Sequence, residues 1–98
     1  MKNIEKIRED LNKIRYYNSK KEWFDRMEKL TGRSEASMLA DQYNKVICMA
    51  PPRLYEYFVY MYVLNNTQEV LADDLNYSRT YVYKISQSLL EYLQAHID

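Results

Sequence analysis

Residues 78–84, Ser-Arg-Thr-Tyr-Val-Tyr-Lys, gather the side chains best suited to a chemical task, and that task is hydrogen bonding. On the first turn of a helix lying in a DNA groove, Arg79 offers a planar fork of donors that fits the edge of guanine. The hydroxyls of Ser78 and Thr80, with the free N–H groups of a helix start, suit phosphate. Lys84, one turn further on, reaches either. Catalysis has far less material. The one histidine, His96, stands two residues from the C-terminus, where chains fray. The one cysteine, Cys48, sits between Ile47 and Met49 and reads as a buried, inert thiol. One residue of each kind cannot make a metal site. Acid pairs such as Glu9-Asp10 and Asp73-Asp74 point to different helix faces, and no Gly-rich loop is present to cradle a phosphate. No enzyme, no cofactor and no metal are expected.

A helix-turn-helix over residues 67–90 would position the polar set. With Gln68 taken first, Leu71, Leu75, Tyr77, Val82 and Ile85 fall at positions four, eight, ten, fifteen and eighteen. Those positions need apolar groups to lock two short helices across a tight turn. Ala72, at position five, stands where the helices approach closely. Asn76 tolerates the left-handed conformation that ends one helix, and Ser78 is a good N-cap for the next. The second helix runs from about Arg79 to Ala95, with Val82, Ile85, Leu89, Leu90 and Leu93 inward.

The rest of the chain reads as helices too. Ile4, Ile7, Leu11 and Ile14 alternate in three- and four-residue steps behind a capping Asn3, either as a helix packed on its own domain or as a dimer seam. Ser19-Lys20-Lys21-Glu22 has the form of a capping box. Trp23, Phe24, Met27 and Leu30 follow at helical spacing, with Trp23 as a core anchor, and Thr31-Gly32 ends that helix. Ser34 caps a third helix to about residue 49, with Ala36, Leu39, Tyr43, Val46, Ile47 and Ala50 inward. Pro51-Pro52 stops it and divides the chain into a helical region 1–50 and a second unit 51–98. Pro52 opens a fourth helix to about Leu64. Its Tyr-rich, β-branched sequence could be read as a strand, but a strand with no partner would leave its backbone unpaired. Its tyrosines spread around the cylinder, so Tyr57 and Tyr60, with Tyr81 further on, are candidates for a protein interface. With one Gly and two Pro in 98 residues, turn chemistry for a many-stranded sheet is missing. The expected fold is all-α: a small helical domain with a C-terminal helix-turn-helix and an N-terminal helical arm or subdomain.

Basic and acidic groups number 14 each, but they are unevenly shared. Residues 1–50 hold 11 basic and 8 acidic groups, and residues 51–98 hold 3 and 6. The half expected to read DNA is thus the acidic one, which works against a tight hold on phosphate. A lone cysteine, a charged N-terminus and a longest apolar run of only eight residues, Tyr57 to Leu64, point to a soluble protein in a reducing, cytoplasmic compartment. A membrane helix needs about 20 apolar residues.

The C-terminal half, residues 51–93, resembles the region-four module of bacterial sigma factors. It is closer still to the phage and prophage transcription regulators of the ArpU and RinA type. The Pro52-Arg53 start, the Thr67-Gln68-Glu69-x-x-Ala72 opening and Ser78-Arg79-x-x-Val82-x-x-Ile85 carry the similarity. The resemblance implies a regulator that binds double-stranded promoter DNA, with helix 79–95 in the major groove. By matching position, Arg79, Thr80 and Lys84 face base edges, and Ser78 and Tyr83 lie on phosphate or sugar. RNA polymerase or another host protein is the further partner it suggests. Since one such module buries little surface, a homodimer is expected. Tyr81 and Tyr83 depart from the family, standing where arginine is common, and Asp73-Asp74 lie on the helix that would cross the backbone. A second function class therefore stands beside the first: a protein-binding inhibitor or adaptor of phage type, such as an anti-CRISPR or a polymerase-binding protein. Exposed tyrosines would suit it.

Overall fold

The stripe Ile4, Ile7, Leu11, Ile14 forms the helix that the rest of the chain surrounds. In a computed structural model, which describes residues 2–97, α1 spans Ile4–Ser19, and Asn3 caps it by accepting the Lys6 N–H at 2.8 Å. Ile7, Leu11 and Ile14 are fully buried, because α1 packs against α3 (Glu35–Ile47), α6 (Arg79–His96) and the end of the fourth helix. The stripe is therefore consumed inside one chain and is not free as a dimer seam. One apolar cluster draws on residues from both sides of Pro51-Pro52. The double proline breaks a helix within a shared core, with Pro52 as the first residue of α4.

A buried carboxylate ties α1 to α3. Asp10 is 1 % exposed; it accepts from the Tyr43 hydroxyl at 2.7 Å and from Lys2 Nζ at 2.6 Å, with Lys6 Nζ 3.6 Å away. Burial by itself would raise its pKa. The hydrogen bonds from Lys2 and Tyr43, with the two lysine charges, outweigh burial and hold the carboxyl below the ordinary aspartate value.

The second helix departs from expectation. α2 (Lys21–Thr31) buries no residue. Trp23 is 55 % exposed and Leu30 82 %, with Met27 also open, so Trp23 is not a core anchor. The capping box does not form either. Ser19 is the last residue of α1, its hydroxyl donates back to the Tyr16 carbonyl, and α2 begins at an N-cap, Lys20, without a side-chain bond. With so short a link, α2 leaves α1 without folding back over the core. Phe24 meets Tyr17 at 5.0 Å between ring centroids; Trp23 meets the Phe24 ring, edge to face at 5.0 Å, from the solvent side.

α4 (Pro52–Phe58) is helical, as the unpaired-strand argument requires, but it does not run on as α-helix to Leu64. A π-helical turn, Val59–Val63, completes it, with the Leu64 N–H reaching the Val59 carbonyl at 2.9 Å. Side chains of α1 take up the carbonyls around this widened turn: Asn18 donates to Tyr62 O at 2.8 Å and Arg15 to Asn66 O at 3.1 Å. Leu54, Tyr57, Phe58 and Met61 are buried. Burial pushes the Tyr62 phenol up to about 12. No strand occurs among the described residues, and no helix is long and apolar enough to cross a membrane.

Candidate nucleic-acid interface

The last two helices are joined by three residues whose types dictate the joint. Thr67 caps α5 (Gln68–Leu75) by accepting the Val70 N–H at 3.2 Å. Asn76 then takes the left-handed conformation, φ 57 and ψ 40. Its N–H reaches Asp73 O at 3.4 Å, while the Tyr77 N–H reaches Ala72 O at 2.9 Å. This pair of bonds is the Schellman closure of a helix end, with Asn where Gly is commoner. Ser78 next accepts the Tyr81 N–H at 3.1 Å and starts α6.

Apolar and polar residues separate cleanly across α5 and α6. Leu71, Ala72, Val82 and Ile85 are buried, and Leu75 and Tyr77 are half-buried against the same core. Ser78, Arg79, Thr80, Tyr83 and Lys84 are all exposed, so the first two turns of α6 carry them outward together. The Arg79 side chain is 87 % exposed, and its closest carboxylate is Glu69 at 3.9 Å. That carboxylate is itself exposed and in water, so it holds the guanidinium only loosely.

One residue not picked out by the sequence joins this surface. Arg53, from the first turn of α4, lies over the rings of Tyr77 at 5.1 Å and Tyr81 at 5.6 Å. It also donates to the Tyr77 hydroxyl, which in turn donates to Glu56 at 3.3 Å. Tyr77 and Tyr81 meet edge to face at 4.9 Å. Two aromatic faces thus fix a guanidinium beside the start of α6. Tyr81, with Tyr77, positions an arginine that comes from another helix. Only the Pro52-Arg53 start hinted at it; the contact itself is tertiary and has no local signature.

The tyrosines proposed for a protein contact divide. Tyr57 is 2 % exposed and accepts from Gln68 Nε2 at 2.9 Å, so it belongs to the core. Tyr60 is half-buried and Tyr81 exposed. Cys48, expected to be buried, is exposed at the C-cap of α3. His96 stacks on Tyr92, ring centroids 4.2 Å apart. Among the described residues, no three His, Cys, Asp or Glu come together as a metal site. The charge on this face is mixed, since Glu69, Asp73 and Asp74 of α5 are exposed alongside Arg79 and Lys84. No protein-family model matches the chain, and neither curated proteins nor solved structures offer a match.

Proposed function

We propose that the chain is a sequence-specific, double-stranded DNA-binding transcription regulator of phage or prophage type. In this reading α5 and α6 are a helix-turn-helix and α6 lies in the major groove. What supports it is the separation just described: Leu71, Ala72, Val82 and Ile85 lock the pair while Arg79, Thr80 and Lys84 stand clear in the first two turns of α6. Arg79 leaves its loose pairing with Glu69 and takes a guanine edge through two parallel hydrogen bonds. Thr80 and Lys84 read adjacent positions. Ser78, Tyr83 and Arg53 hold phosphate or sugar and set the register. Two copies on adjoining half-sites supply the surface that one short helix lacks.

The test uses a duplex enriched from a random-sequence library by binding to the protein. Arg79→Ala should weaken binding to that duplex by about 1–3 kcal/mol and relax the choice of base at one position. Enrichment of no sequence at all would count against this function.

One observation favours the second reading, a phage-type protein inhibitor or adaptor. Trp23, Met27 and Leu30 leave an apolar face of α2 uncovered, as protein-binding helices do. Under that reading duplex affinity is poor and indifferent to Arg79, and truncating exposed aromatic residues abolishes binding to a protein partner.

A further inference from the structure

The face that would read DNA is short of positive charge. Residues 51–98 carry 3 basic groups against 6 acidic ones, whereas residues 1–50 carry 11 against 8. Part of the missing charge lies at the corner between α1 and α2. Lys20, Lys21, Trp23 and Arg26 line an open depression of ≈ 440 Å3 there, with Glu22 as its one acidic residue. Lys21 Nζ donates to the Tyr17 hydroxyl at 3.1 Å and pairs with exposed Asp25 at 3.5 Å. Lys20 and Arg26 have no ion pair among the described residues and are exposed.

The placement of this corner is what gives it a role. The last turns of α1 are bonded to the segment that leads into α5, through Asn18 to Tyr62 O and Arg15 to Asn66 O. With its amide oriented to satisfy both groups, Asn65 donates to Arg15 O and accepts from the Ser19 N–H, each at 3.3 Å. Asn66 immediately precedes Thr67, the cap of α5. In a helix-turn-helix the first helix crosses the sugar–phosphate backbone, so in the DNA reading the end of α1, bonded beside the start of α5, would come near the neighbouring phosphates.

We propose that Lys20, Lys21 and Arg26 at the α1–α2 corner form a second DNA contact, gripping backbone phosphates that flank the site read by α6, with the Trp23 indole laid against the sugar edge. The proposal rests on the DNA reading above. It also accounts for an exposed tryptophan set among cations on a helix that buries nothing. The contact carries no sequence information; it adds affinity and salt dependence.

The probe is a long random-sequence duplex labelled with fluorescein, titrated with the full chain at several salt concentrations. Each phosphate that the protein no longer neutralises makes the slope of log K against log salt shallower by about 0.9. The triple variant Lys20→Gln/Lys21→Gln/Arg26→Gln should therefore flatten the slope by about 2 to 3 and weaken binding by about tenfold or more at moderate salt. The charge-keeping variant Lys20→Arg/Lys21→Arg/Arg26→Lys should retain both. Removing the exposed cations Lys13 and Lys45 as Lys13→Gln/Lys45→Gln should change the slope little. The emission of Trp23, the only tryptophan, should be quenched or shifted as duplex is added. The proposal is overturned if the triple variant keeps the wild-type slope, or if Trp23 emission ignores saturating duplex, while Arg79→Ala still weakens specific binding. Wild-type protein that shows no salt-dependent duplex binding overturns the DNA reading itself, and this inference with it.

Discussion

Asp10 is the residue on which the N-terminal half turns. Its carboxylate is buried and fully engaged by Lys2, Tyr43 and Lys6. Its pKa in the fold lies below the ordinary value, so the charged form stabilises the native state. That contribution is present above the unfolded pKa of about 3.9 and is lost as pH falls through the lower, folded value. Urea denaturation at neutral pH should show Asp10→Asn losing about 1–3 kcal/mol, because Lys2 and the Tyr43 hydroxyl are left facing a weaker partner. Repeated under strongly acid conditions, the gap between variant and wild type should narrow; a gap that widens would mean that the carboxylate is not held as its contacts indicate. Tyr43→Phe removes one hydrogen bond and should cost about 1 kcal/mol. None of this was legible in the sequence. Glu9-Asp10 looks like a solvated acid pair, and only the rotation of α1 sends one member to α3 and the other to water.

At the scale of elements, the joint between α5 and α6 is the most sequence-determined part of the molecule. Asn76, Ser78 and the apolar register each have a local physical reason, and each stands where that reason places it. Asn76→Gly should leave stability unchanged or slightly raised, since Gly takes the left-handed conformation freely. Asn76→Val should cost about 1–2 kcal/mol in the same conformation, measured by thermal melting. Equal melting of the two variants would show that the left-handed joint does not matter. α2 teaches the opposite lesson. The spacing of Trp23, Met27 and Leu30 defines an apolar face, but periodicity cannot say whether anything in the chain will cover it. The exit direction set by Ser19 and Lys20 decides that, and the face stays open. Leu30→Ser should therefore shift stability by no more than about 0.5 kcal/mol, and Trp23→Ser, which loses the edge contact with Phe24, by about 0.5–1.5 kcal/mol. Phe24→Ala, which removes the packing against Tyr17, should cost more. The π-helical turn had no sequence signal either, because its freed carbonyls are answered from α1, far away in the chain.

The whole molecule combines an acidic C-terminal half with a basic first half through one shared core. α1 packs among α3, α6 and the π-helical turn. The charges that α1 carries are therefore held in register with α6. Light scattering of the protein on its enriched duplex should find two chains per full site, and a single chain on a full-length site would rule out paired half-sites. Arg79 carries the proposed DNA reading most directly. Binding of the wild type and of Arg79→Ala to the enriched duplex and to a scrambled one, followed by fluorescence anisotropy across a salt series, is the decisive measurement. Both proteins should show steep salt dependence. The wild type should prefer the enriched duplex, and Arg79→Ala should lose about 1–3 kcal/mol of that preference while melting like the wild type. Salt-insensitive binding, or an enriched-over-scrambled preference that Arg79→Ala retains in full, would contradict the DNA reading.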